Sequence, residues 1–201
     1  MASSLPPESP KALRRRIRAA RRAVPPNDAQ AAADAVAARI LGLPVFQTAQ
    51  CLSAYLAFDG ELDPAALLKL AWQQGKQVFL PVLRPDAAMC FAPYTPGMAM
   101  EANYYGIPEP KVPTSQWLEA RALDLVLTPL VAFDEAGYRL GMGGGFYDRT
   151  FEFRRSEAGG PCLLGVAFEL QRHPVPHRDW DIPLDGVVTE QKIYTFGVRL
   201  G

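Results

Sequence analysis

Cysteine is scarce in this chain: Cys51, Cys90 and Cys162 are the whole complement, they lie far apart, and no two form a C-x-x-C pair. An odd count set in or beside apolar runs reads as buried free thiols, not a disulfide framework. With no leader-like segment it also points to a reducing cytosol. A surplus of charge is missing too. Lysine plus arginine equals aspartate plus glutamate at 21 each, so no overall field draws the chain to nucleic acid or to a membrane surface. No apolar run approaches the roughly 18 residues of a membrane span. Repeats and long linkers are lacking, which leaves one domain over residues 1–201, expected as a monomer.

What is present is globular in character, with 49% hydrophobic and 21% charged residues. After Pro6, Pro7 and Pro10, the segment KALRRRIRAARRAV (11–24) carries seven basic residues and no acidic one. Its spacing predicts a helix with an apolar stripe of Leu13, Ile17, Ala20 and Val24, flanked by Arg14, Arg18, Arg21 and Arg22. Pro25 and Pro26 end it, and Asn27 or Asp28 can cap a second helix running to Ile40. A strand over Cys51 to Phe58, a helix opened by Asp63-Pro64 and running to Gln74, and the strand QVFLPVL form a βαβ unit. Residues 89–113 read as irregular, with one strand at Met89 to Tyr94. Further strands are expected in LDLVLTPLV, CLLGVAF and GVVTE, and a helix over Phe146 to Arg155. Strands alternating with helices argue a mostly parallel sheet covered on both faces.

The stretch RLGMGGGFYDR, Arg139 to Arg149, follows a strand and a DEAG turn and opens a helix. Gly141, Gly143, Gly144 and Gly145 permit positive φ and a close approach of ligand to backbone, and the amides face the positive end of a helix dipole. Phosphate oxygens suit such a nest, although a glycine cluster by itself equally makes a tight turn, and this one matches neither G-x-x-x-x-G-K-[ST] nor the usual G-x-G-x-x-G spacing. Its neighbours add a cation at Arg139, two aromatics at Phe146 and Tyr147, and a carboxylate at Asp148. A nucleoside triphosphate with magnesium needs that set: amides and arginine for phosphate, a hard oxygen for the metal. Asp148 reads equally well as a first-turn acid favoured by the dipole.

PLVAFDEAGYRLGMGGGFYDR resembles the signature region of the 5-formyltetrahydrofolate cyclo-ligase (5,10-methenyltetrahydrofolate synthetase) family. The resemblance takes in the basic N-terminal helix, YLAFDGELD at Tyr55 to Asp63 and YYGIPEP at Tyr104 to Pro110, so it covers nearly the whole chain. It implies a three-layer α/β/α sandwich with a Rossmann-like, mostly parallel sheet of the NagB/RpiA/CoA-transferase-like type. It also implies a cytoplasmic enzyme whose substrates are 5-formyltetrahydrofolate and ATP, with Mg2+. The formyl oxygen is a poor leaving group; phosphorylation by the γ-phosphate of ATP gives an activated imidate, N10 attacks it, and phosphate departs. Such a transfer asks the protein for positioning and charge neutralisation.

By the same resemblance, Lys11, Arg14, Arg15, Arg139, Leu140, Gly141, Met142, Gly143, Gly144, Gly145, Phe146 and Tyr147 bind ATP, with Arg139 and Tyr147 at the chemistry. Leu56, Phe58 and Glu61, with Met142, Gly143, Gly144, Gly145 and Phe146, bind the folate. Glu61 would hydrogen-bond the donor face of the pterin; from the residues alone it is a turn acid beside Gly60. Asp148 and Asp181 would hold the metal, with Asp179 and Asp185 close by in sequence. Phe146 departs from the commoner tyrosine at that position, which leaves Tyr147 as the phenol. His173 and His177, separated by prolines and without a third ligand at metal spacing, read as loop residues. Two other classes fit parts of the sequence: a nucleotide- or folate-binding regulatory module without turnover, and an RNA-binding protein using the arginine-rich helix. Balanced overall charge and the lack of aromatics among the helix's basic residues count against the RNA reading.

Overall fold

Strand runs such as LVLTP and CLLGV are apolar throughout because each is covered on both faces. The computed structural model describes residues 8–84, 88–157 and 159–200, so the prolines at 6 and 7 lie outside the described residues. In chain order the elements are α1 (Pro10–Arg22), α2 (Pro26–Leu41), α3 (Pro44–Thr48), β1 (Cys51–Ser53), α4 (Ala65–Gln73), β2 (Gln77–Leu83), β3 (Met89–Pro93), β4 (Met100–Ala102) and β5 (Pro108–Pro110). They continue with β6 (Leu125–Pro129), β7 (Ala132–Phe133), β8 (Arg139–Leu140), α5 (Phe146–Thr150), β9 (Cys162–Val166), β10 (Gly186–Val188) and β11 (Ile193–Thr195).

Seven strands form the main sheet in the order β11-β10-β9-β6-β1-β2-β3. The five inner strands run parallel, and β11 and β3 close the edges antiparallel. Alternation along each strand divides the core. Leu125, Leu127, Leu164 and Val166 face one layer with α2, α3 and α4, while Val126, Leu163 and Val187 face the other with Phe79, Phe91, Phe133 and Phe151. This is the mostly parallel α/β sheet expected, with the second face covered largely by short helical turns. No helix among the described residues is long and apolar enough to cross a membrane.

Several elements differ from the sequence expectation. Strand β1 stops at Ser53; Ala54 still donates to Phe79 O, and the chain then swings away, with the Tyr55 hydroxyl donating to Leu62 O at 2.6 Å. Residues 89–113 hold three strands, not one, because β4 and β5 pair as a separate hairpin. The helix expected over Phe146 to Arg155 ends at Thr150 and tightens into a 3-10 turn at Glu152–Arg155, as the Phe151 ring enters the core beside Phe91 and Phe153. In α1 the stripe is Leu13, Ile17 and Arg21: Ala20 is exposed, and Val24 lies past the helix end. Leu13 and Ile17 pack not on the main sheet but on Val131, Ala132 and Leu140 of the β7–β8 hairpin.

Leu164, fully buried in β9 near the middle of the sheet, offers a direct check of this layering. Leu164→Ala should lower unfolding free energy by about 2–5 kcal/mol in urea titration.

Candidate functional site

Strand order places a cleft before any side chain is considered. From β1 the chain proceeds outward to β2 and β3; from β6, its parallel neighbour, it proceeds the other way to β9, β10 and β11. Loops leaving the carboxyl ends of β1 and β6 therefore diverge, and ligands of open α/β sheets bind at such switch points. The loop after β1 is 54–64. The loop after β6 passes through the β7–β8 hairpin into the glycines.

That hairpin aims the glycine loop. Asp134 Oδ1 accepts from the amides of Ala136 and Tyr138, closing the DEAG turn, and Val131 donates to Leu140 O at 2.7 Å. Positive φ occurs at Gly143 (104°) and Gly145 (65°), the latter heading α5; Gly141 and Gly144 lie in ordinary regions. Arg14 crosses from α1 and donates from Nε to Gly141 O at 2.7 Å. Arg149, the last residue of the motif, donates to Gly144 O and lies over the Phe146 ring, 5.3 Å from its centroid. Lys11 and Arg15 are exposed and make no hydrogen bond to a described residue. Met142 is also exposed.

Beneath the loop, the buried side chain of Arg139 donates to Asp148 Oδ1 at 2.8 Å and to Ile182 O, and Asp148 Oδ1 also accepts from Ile182 N. The sequence pairing of Arg139 with phosphate and Asp148 with metal thus meets a direct ion pair between the two. Asp148 Oδ2 accepts nothing from a described residue. Asp181, next to Ile182, uses Oδ2 for the amide of Arg178 and leaves Oδ1 without a described partner. Asp185, by contrast, is consumed: it is buried, takes both contacts from Arg154 Nη2 and accepts the amide of Leu163. Among the described residues no three His, Cys, Asp or Glu gather as a metal cage. Asp148 and Asp181 therefore suit a hard cation that keeps most of its shell in phosphate and water.

Tyr147 stacks on Phe151 and lies under Arg139, 5.7 Å from the ring centroid. Burial, with the Glu61 charge adding to it, raises its hydroxyl well above the usual phenol value despite Arg139, so it stays a donor at neutral pH. Glu61 is held in the 54–64 loop: Oε2 accepts the amide of Phe58, and Oε1 is 3.7 Å from Arg21. Burial raises its pKa above the ordinary value near 4.5, with Arg21 opposing. Leu56 and Phe58 are exposed, Phe58 at 71%. Three arginines of α1 that the sequence placed on a flanking face instead converge on Asp59, the one non-glycine residue with positive φ among those described. Residues of YYGIPEP join the site as well. Tyr105 meets the Phe146 ring edge-on at 6.0 Å from the β4–β5 tip, where Tyr104 is 96% exposed. His173 contacts Arg16 and His177 stacks on Tyr138, which is the loop role expected of both.

A seven-stranded, mostly parallel sheet whose switch point carries a glycine loop, several arginines and half-buried carboxylates defines an α/β protein with its candidate site between the diverging loops. The sequence model of the 5-formyltetrahydrofolate cyclo-ligase family matches residues 7–190, and the chain belongs to that family. It is 41% identical over 181 residues to the 5-formyltetrahydrofolate cyclo-ligase of Escherichia coli (strain K12), covering 89% of this chain and 98% of the relative. It is 39% identical over 173 residues to that of Haemophilus influenzae, covering 85% and 90%. Among solved structures, Aquifex aeolicus 5,10-methenyltetrahydrofolate synthetase superposes with a TM-score of 0.78 at 26% identity, covering 93% of this chain and 92% of that one.

The glycines can be separated by substitution. A methyl group on Gly144 would meet the Phe146 ring at 2.6 Å, whereas one on Gly141 meets nothing within 4 Å. Gly144→Ala should therefore lower the melting temperature of the free protein, and Gly141→Ala should leave it unchanged but reduce the shift that Mg-ATP adds. Equal nucleotide-induced shifts in Gly141→Ala and the native protein would show that nothing lies against that backbone. Glu61 supplies a second test. Its raised folded pKa means the folded state keeps a proton that the unfolded chain has released, so stability falls as pH rises from about 4.5 through the folded value. Glu61→Gln removes that loss: its melting temperature relative to native should be higher at neutral pH than at about pH 4, while the shift induced by 5-formyltetrahydrofolate disappears.

Proposed function

We propose that this member of the family closes 5-formyltetrahydrofolate to 5,10-methenyltetrahydrofolate with ATP as co-substrate, acting in the cytoplasm as a monomer. The observation that carries the reading is the meeting of Arg14 with Gly141 O on the same helix whose Arg21 holds the Glu61 loop. One helix thereby serves both a phosphate-type and a pterin-type half-site across one cleft.

In this reading Arg14, Lys11 and Arg15 neutralise the triphosphate while the backbone of Gly141 to Gly145 lies against it. The γ-phosphoryl group passes to the formyl oxygen with loss of ADP; N10 then attacks the formyl carbon, phosphate leaves, and the N10 proton is released. Glu61 accepts hydrogen bonds from the pterin, a strong interaction for a carboxylate already stripped of water. Tyr147, kept protonated, donates towards the formyl oxygen as charge collects there. Arg139 holds Asp148 in place and lends its charge from below. Leu56, Phe58, Met142 and Phe146 give the flat ring apolar cover. Asp148 and Asp181 would hold Mg2+, which when bound neutralises phosphate charge.

Mixing the protein with 5-formyltetrahydrofolate and Mg-ATP should produce the absorbance of the methenyl product and one ADP per turnover. Folded protein that binds both ligands without forming product would instead be a regulatory module. Asp148→Asn and Asp181→Asn should need about tenfold or more magnesium for half-maximal rate, since an amide keeps the shape and loses the charge. Loss confined to Asp185→Asn would place the metal elsewhere.

A further inference from the structure

Five of the seven cations in α1 are already engaged, and their arrangement has a direction. Arg14, Arg18 and Arg21 or Arg22 follow at helical spacing, so they form one ridge about 10 Å long. At its amino end, Arg14 donates to Gly141 O. At its carboxyl end, Arg18 Nε meets Asp59 Oδ2 at 2.6 Å and Arg22 meets Oδ1 at 2.8 Å. Arg21 donates from Nε and Nη2 to Asp59 O, and from Nη1 to Leu130 O at the end of β6. The fit is close: a methyl group on Gly60 would come within 3.1 Å of the Arg22 Cα. Asp59 itself is in the left-handed region at φ 55°, where Asp and Asn are tolerated better than other side chains. Two residues later the same loop presents Glu61. Few apolar contacts tether the helix otherwise, since only Leu13 and Ile17 among its buried residues are hydrocarbon.

We propose that α1 is a strut that couples the two half-sites, and that Asp59 is the positioning residue that makes it one. The inference rests on the functional reading above. Nucleotide drawn to Arg14 fixes the helix at one end; through Asp59 the other end fixes the loop carrying Glu61. Each ligand then meets a site the other has already ordered, and by linkage each tightens the other by the same factor.

The experiment measures the dissociation constant of 5-formyltetrahydrofolate with and without a saturating non-hydrolysable ATP analogue plus Mg2+, and the reciprocal pair. In the native protein both ratios should agree and exceed about 5. Asp59→Asn keeps the shape, a hydrogen-bonding oxygen and tolerance of the left-handed backbone while losing the charge. It should bind each ligand alone, with the ratio falling towards one. Arg18→Ala and Arg22→Ala, which remove exposed or half-buried partners, should show intermediate ratios and carry the test if Asp59→Asn fails to fold. Native protein that binds both ligands independently would overturn the coupling while leaving the functional reading intact. An undiminished ratio in Asp59→Asn, or in both arginine variants, would overturn the role of Asp59. Failure of native protein to bind either ligand would overturn the functional reading and the coupling with it.

Discussion

A single guanidinium holds the site together. Arg21 is 2% exposed, and burial pulls its pKa below the ordinary value while Glu61 and Asp59 oppose that pull. Taking a charge so far out of water is unfavourable unless every face finds a partner, and here the partners come from three places: the Asp59 carbonyl, the Leu130 carbonyl and the nearby carboxylates. Those partners belong to the loops after β1 and β6. Breaking such a buried set typically costs about 3–5 kcal/mol, which is comparable to the stability margin of many domains. The geometry of the cleft and the stability of the chain are thus tied to the same contact.

Around that contact the sheet supplies divergence and the hairpins supply direction. Strand β1 leaves the sheet after three residues, whereas β6 runs three residues past Val126, the partner of Ser53, so the two loops start at different heights. The β7–β8 hairpin turns the other loop back over α1, where Leu13 and Ile17 pack against it. The β4–β5 hairpin brings Tyr105 to Phe146 from the opposite side. Its tip is braced by Asn103, whose Oδ1 accepts the amides of Tyr105 and Ile107 and whose Nδ2 donates to the buried Glu109, itself bonded to Leu83 N at the end of β2. Exposed aromatics on a braced turn lose little freedom when a flat ligand covers them.

Charges in the cleft are arranged so that the two ends differ. Arg139 is neutralised by Asp148 below the glycine loop, while Lys11 and Arg15 remain without described partners above it. Glu61 and Tyr147 are both half-buried; loss of water raises the pKa of each, and the Glu61 charge adds to the rise at Tyr147. A phenol held protonated beside a desolvated carboxylate gives one donor and one acceptor in a site otherwise lined with hydrocarbon and glycine, which is the economy small-molecule sites usually show.

How much of this was written in the chain order can be judged residue by residue. Apolar runs, turn residues and spacing determined the parallel sheet, the βαβ unit and the strand-to-loop-to-helix setting of the glycines, because those signals are local and repeat with a fixed period. The motifs around Gly141 to Asp148 and at Glu61 carried the family resemblance for the same reason: they are contiguous. Short strands such as β4, β7 and β8 were missed because two or three residues hold too little pattern, and they exist only through partners elsewhere in the chain. Arg21 is the clearest case. On the sequence it was one more cation beside an apolar stripe, and Ala20 was the natural core position. Tertiary structure reversed the two, since the loop at Asp59 lies 38 residues away and only folding brings its carbonyl to that face of the helix. Periodicity can determine which face of a helix turns inward; what chemistry waits there depends on contacts distant in sequence, and those are decided by the fold.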